Sequence, residues 1–129
     1  MKKSEYEGLQ ENIKKLKLPE IEVFENKYYN RDYTIHLNFP EFTTLCPKTG
    51  LPDFGEIEIE YKPAKYCVEL KSLKFYFLAY RSVGIFYENA VNKIFDDFIK
   101  ACSPKEAKIM ITYRPRGGIS AVLTREYRK

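Results

Sequence analysis

Apolar and polar residues alternate through "DYTIHLNF": Tyr33, Ile35, Leu37 and Phe39 fall on one side, and Thr34, His36 and Asn38 on the other. That period of two predicts a half-buried strand. His36 lies on its polar side, where a solvated or hydrogen-bonded ring is the simplest reading. "GEIEIEYK" gives the clearest strand, with Ile57, Ile59 and Tyr61 alternating with Glu56, Glu58 and Glu60. The glutamate row reads as a solvated face, or one meeting a basic neighbour. "KPAK" then predicts a turn and "YCVEL" a returning partner, so the two segments are expected to form an antiparallel hairpin. "IEVFENKY" upstream is a candidate edge strand.

The period changes after residue 69. "LKSLKFYFLAYR" predicts a helix with Leu70, Leu73, Phe77 and Leu78 near one face. A second helix is expected from about Tyr87 to Cys102, with Val91, Ile94, Phe95, Phe98 and Cys102 on one buried stripe. "SP" stops it. "AKIMITYR" and "ISAVLTREY" return to strands across "PRGG", whose glycines permit a tight turn. Residues 4 to 18 fit either a charged helix ended by Pro19 or an arm. The division that follows is an arm over 1–20 and a single domain over 21–129. Antiparallel strands with segregated helices define an α+β class. Two helices cover only one face of such a sheet, so a homo-oligomer is expected.

Composition narrows the classes further. With 129 residues, 44% hydrophobic and 31% charged, the chain suits one folded domain. A net charge of +4 without a basic helix or long Lys/Arg run argues against a nucleic-acid binder. It leaves room for a phosphate-bearing small molecule. No apolar run reaches membrane-spanning length, and "MKKSEYEGLQENIKK" lacks the apolar stretch of a signal peptide, so a cytoplasmic location without membrane contact is expected. Cys46, Cys67 and Cys102 form neither an even disulfide framework nor a CxxC pair, and His36 is the sole histidine. That set does not make a structural zinc site, and no metal is expected. Cys67 and Cys102 read as core residues, while Cys46 falls in a loop.

That loop, "TTLCPKTGLPDFG", sets Cys46 and Asp53 seven positions apart between prolines that stiffen the chain. A thiolate is a strong nucleophile and a nearby carboxyl group moves protons. A Cys–Asp pair without histidine suits sulfur addition to an electrophile whose nitrogen must be protonated, such as a nitrile. From spacing alone, ordinary loop residues are the better account of both positions.

Several separated segments, in order, carry more. "NRDYTIHLNFPEFTTLCPKTGLPDFG", "ELKSLKFY", "FYENAVNKI" and "PRGGIS" resemble the motifs of the QueF-type nitrile reductases, the NADPH-dependent 7-cyano-7-deazaguanine reductases. The resemblance spans roughly residues 30 to 120. It implies the tunnelling fold shared with GTP cyclohydrolase I, and pentameric rings stacked into decamers. It implies that Cys46 attacks the nitrile carbon to form a thioimide and that Asp53 moves the protons. Two NADPH then complete reduction to the aminomethyl product, which is used to make queuosine for tRNA. It implies that Glu88 and Tyr87 meet the substrate, with Val68, Glu69 and Leu70 as its other contact stretch. Without it, Glu88 and Glu69 are acids at helix N-termini, placed by the dipole. It implies that Lys71, Ser72 and Lys74 of the "ELKSLKFY" motif, with Arg116, meet the cofactor; read alone, the lysines are a solvated helix face. No GxGxxG is present, so a Rossmann site is not expected. Many relatives carry histidine where this chain has Tyr87, which weakens any histidine proton relay here.

Two other readings stay open. QueF-like amidinotransferases form the same thioimide and then add ammonia on a tRNA-bound base. "ELKSLKFY" and the modest charge weigh against them. A non-catalytic purine- or pterin-binding oligomer is the other, and it would need neither Cys46 nor Asp53.

Overall fold

The computed structural model describes residues 17–129. The helix or arm anticipated over residues 4–18 falls almost wholly outside them. The elements follow as β1 (Val23–Glu25), β2 (Ile35–Leu45), β3 (Pro52–Lys62), β4 (Tyr66–Val68), α1 (Leu70–Leu78), α2 (Tyr87–Cys102), β5 (Glu106–Arg116) and β6 (Ile119–Arg128). A short 3₁₀ turn, Ala79–Ser82, lies between the helices.

The alternating segments form a four-stranded antiparallel sheet in the order β2-β3-β5-β6. Register pairs Leu37 with Ile59, Ile59 with Ile109 and Ile57 with Ile111, so one face is apolar across the middle of β2, β3 and β5. Ile57, Ile59, Tyr61, Ile109 and Ile111 are all buried on it. The opposite face carries the glutamate row. There Glu60 stands opposite Lys108, and the His36 ring lies 3.5 Å from the Glu60 carboxylate.

Both helices pack on the apolar face. In α2 the stripe Val91, Ile94, Phe95, Phe98 and Cys102 is buried, and Phe98 meets the Tyr61 ring edge-on at 5.1 Å. Ser103 ends the helix in the left-handed region at φ 43°, and Pro104 follows. Helix α1 differs from expectation. Its buried stripe is Leu73, Tyr76 and Phe77, continued by Tyr80, whereas Leu70 is 57% exposed and Leu78 only partly buried. Tyr76 can go inside because its hydroxyl donates to Asp97 at 2.5 Å and lies 3.0 Å from the Tyr80 hydroxyl. Leu70, in the first turn, borders a cavity between helix and sheet instead.

The hairpin anticipated between the "GEIEIEYK" and "YCVEL" segments does not form. β4 pairs with β1, in the register Val23 to Val68 and Glu25 to Tyr66. β3 has no free edge to offer, since β2 and β5 occupy both. The chain therefore leaves the sheet at Pro63. β4 stays tied to β3 through the Tyr61 hydroxyl, which accepts the Val68 N–H at 3.0 Å.

Candidate active site

The loop after β2 is pinned at its ends. The Cys46 N–H donates to the Leu51 carbonyl at 2.8 Å, and the Gly50 N–H donates back to the Cys46 carbonyl at 2.7 Å. Gly50 sits at φ 73°, where glycine carries no steric penalty. This closure brings Leu45 opposite Pro52 and Thr44 opposite Asp53. Asp53 is thus a strand residue, not the loop residue expected, and it is only 6% exposed. Cys46 is partly buried beside it.

A second chain segment completes the site. After the 3₁₀ turn the backbone runs along the end of β2. The Leu45 N–H donates to the Val83 carbonyl at 2.9 Å, and the Ile85 N–H to the Leu45 carbonyl at 3.1 Å. That clamp delivers Tyr87 and Glu88, the first residues of α2, to the same place. The third contribution is Arg116, at the end of β5. Cys46, Asp53, Tyr87, Glu88, Arg116 and Ile119 line one cavity of about 220 Å³.

The electrostatics inside it are specific. Burial pushes the Cys46 thiol up, but hydrogen bonds from the Thr49 hydroxyl and from the Lys48 and Thr49 backbone outweigh that. The net effect holds the thiol below its ordinary value, against the opposing charge of Asp53. Arg116 Nη1 donates to Asp53 Oδ1 at 2.5 Å and Nη2 to the Thr49 hydroxyl at 3.2 Å. The Tyr87 ring stacks on Tyr113 with centroids 3.6 Å apart. Burial, then the charge of Asp53 and the hydrogen bond to it, push the Tyr87 phenol up to about 12. Tyr87 is therefore a hydrogen-bond donor, not a titrating acid, at neutral pH.

The remaining anticipated residues lie elsewhere in the protomer. Glu69 caps α1, its carboxylate accepting the Lys71 N–H at 2.7 Å and the Ser72 N–H at 2.8 Å. Those bonds hold its carboxyl below the usual range. Val68 is buried in β4. Ser72 is buried too, its hydroxyl donating to the Glu69 carbonyl and accepting the Glu22 N–H. Leu70 and Lys74 border the separate cavity over the sheet, and Lys71 is exposed. Arg116 was grouped with these lysines on sequence grounds, yet it stands in the Cys46 cavity. Thr49, Tyr113 and Ile119 were not singled out from sequence. For Thr49 a signal existed, a hydroxyl between Pro47 and Gly50 in a stiff loop.

The chain is thus an α+β fold that sets a Cys, an Asp and a phenol around one cavity. The fold is similar to that of the apo archaeosine synthase QueF-Like, with a TM-score of 0.65 over 72% of this chain and 91% of that one, at 21% identity. The family model described as QueF-like protein matches residues 52–129. The chain is 60% identical over 107 residues to the NADPH-dependent 7-cyano-7-deazaguanine reductase of Chloroherpeton thalassium, covering 83% of this chain and 92% of that protein. The protein of the same name from Elusimicrobium minutum is 57% identical, with 88% and 85% covered. That of Chlorobaculum tepidum is 55% identical, with 84% and 93% covered. The chain belongs to the QueF-like protein family.

Proposed function

We propose that this protein is an NADPH-dependent 7-cyano-7-deazaguanine reductase serving queuosine biosynthesis. The observation that carries the reading is the cavity in which Cys46, with its thiol held low, meets Asp53. Identities of 55–60% to three reductases of that name support it. In the first step sulfur bonds to the nitrile carbon, the thiol proton leaves sulfur, and the nitrile nitrogen takes up one proton. Asp53 receives and returns that proton, and the adduct is a thioimide on Cys46. A protonated thioimide is a better hydride acceptor than a nitrile. Glu88 offers the purine edge a bidentate acceptor. Tyr87 stacks and donates one hydrogen bond.

NADPH supplies hydride, two equivalents being needed to take a nitrile to a primary amine. The donor set of α1 suits its phosphates. Lys71 and Lys74 are exposed and three residues apart on one helix surface. Ser72 suits them less, because its hydroxyl is already engaged on both sides.

The protein acts as a homo-oligomer on the tunnelling fold, in pentameric rings that pair into a decamer. Two features support this. β2 and β6 are the two edge strands of the four-stranded sheet, and on β2 the clamp described above engages Leu45, its last residue. The Cys46 cavity and the Val68–Lys74 stretch also lie apart in one copy, so a neighbouring copy would have to unite them.

The test is to mix the protein with 7-cyano-7-deazaguanine and NADPH and to measure product and NADPH oxidation. Two NADPH consumed per substrate, and no turnover in Cys46→Ala, support the reading. A covalent adduct without NADPH oxidation would point to ammonia transfer instead. Neither adduct nor oxidation would leave a binding protein.

A further inference from the structure

Arg116 stands apart from the lysines it was expected to join. Its guanidinium is a planar fork, and both arms are used inside the Cys46 cavity. One arm reaches the Asp53 carboxylate on β3, and the other reaches the Thr49 hydroxyl in the loop. Thr49 in turn hydrogen-bonds the Cys46 sulfur and accepts the Leu51 N–H at 3.2 Å. A single cation therefore links the proton carrier to the loop that shapes the nucleophile. No other cation lines this cavity among the described residues. The Arg116 side chain is 35% exposed, while that of Asp53 is 6% exposed, so the pair is shielded on the Asp53 side.

The placement has a structural origin. β5 and β6 lose regular register between Tyr113 and Arg116, and the two-residue turn that follows has Gly117 at φ 61° and Gly118 at φ 86°. A non-glycine residue rarely adopts such angles. The irregularity keeps Arg116 over the end of β3.

The charges around Cys46 make the consequence calculable in sign. Facing it are Asp53 from β3, the Thr49 hydroxyl and two backbone N–H groups of its own loop, Tyr87 and Glu88 from α2, and Arg116 from β5. Asp53 opposes a thiolate through its charge. The guanidinium on Asp53 offsets that charge at contact distance. Resting on the reading of Cys46 as nucleophile, we propose that Arg116 is a positioning residue for the Cys46–Asp53 pair, and not a ligand of the cofactor's phosphates. It fixes the carboxylate against the loop and keeps its charge from suppressing the thiolate.

The experiment compares full-length wild type, Arg116→Met and Arg116→Lys in three measurements. The first is the rate of adduct formation with 7-cyano-7-deazaguanine without NADPH, read by intact mass. The second is KM for NADPH. The third is the pH profile of iodoacetamide alkylation at Cys46, resolved by peptide mapping. The proposal expects Arg116→Met to slow adduct formation by about tenfold or more while KM for NADPH stays within about twofold. It expects the alkylation midpoint to move to higher pH, and Arg116→Lys, which keeps the charge but loses the fork, to recover part of both. An unchanged adduct rate with a tenfold-raised KM for NADPH would overturn it in favour of phosphate binding. Three unchanged measurements would overturn it outright. Should Arg116→Met not fold, Arg116→Lys carries the same comparison. If wild type forms no adduct, the nucleophile reading fails, and the alkylation profile, which needs no substrate, still decides the place of Arg116.

Discussion

Removing a single oxygen from Tyr87 separates packing from chemistry at this site. Tyr87→Phe keeps the ring that stacks on Tyr113 at 3.6 Å and deletes only the hydroxyl that hydrogen-bonds Asp53. A hydrogen bond to a charged acceptor contributes about 1.5–3 kcal/mol. Tyr87 is only partly buried, which favours the lower end. About 1.5 kcal/mol in the transition state for sulfur addition is roughly tenfold in rate. The assay is single-turnover adduct formation by quenched-flow intact mass, with thermal unfolding as the control for packing. Tyr87→Phe should form the adduct about tenfold more slowly, with an unfolding midpoint near that of wild type. Tyr87→His should add a pH dependence centred in the ordinary histidine range, near about 6.5, which wild type lacks because its phenol stays protonated there. A Tyr87→Phe protein as fast as wild type would refute the orienting role of the hydroxyl.

Other outcomes follow from the same geometry. Iodoacetamide at neutral pH should modify Cys46 well before Cys102, whose thiol burial pushes up to about 12; peptide mapping with Cys102 labelled first would contradict this. Phe98→Ala empties a fully buried site against Tyr61 and should lose about 3–5 kcal/mol in urea unfolding, whereas a loss below about 1 kcal/mol would mean the core is not as described. Gly118→Ala forces a side chain onto φ 86° in open space. It should cost about 1–2 kcal/mol through the backbone alone, and an unchanged stability would argue against that turn. Glu69→Gln should lower the unfolding midpoint at neutral pH. Because the folded carboxyl titrates below its unfolded value, its contribution is present above the unfolded value and fades as pH falls through the folded one. Wild type and variant should therefore converge in acid, and a gap that widens there would reverse the assignment.

Local pattern carried some parts of this fold and not others. Helix α2 was legible to its ends because five apolar residues keep helical spacing between "FYE" and "SP". The turn at Gly117–Gly118 was legible for the same local reason. The partner of β4 was not. Nearness in sequence suggested β3, but strand pairing is decided by which edges distant segments have already taken. The α1 stripe misled at Tyr76 and Tyr80, where burial depends on a hydroxyl finding Asp97 on another helix. At the site, Cys46 and Asp53 stood out because prolines and a glycine surround them. Thr49 and the Arg116 contact did not, since they depend on a β5–β6 hairpin ending beside β3.

Incubating the protein with 7-cyano-7-deazaguanine alone and weighing it intact is the most direct trial of the central claim. The account predicts a gain equal to the whole mass of the nitrile, mapped to the Cys46 peptide and absent in Cys46→Ala. Turnover of the nitrile with no such gain, or a gain mapped to Cys67 or Cys102, would contradict it.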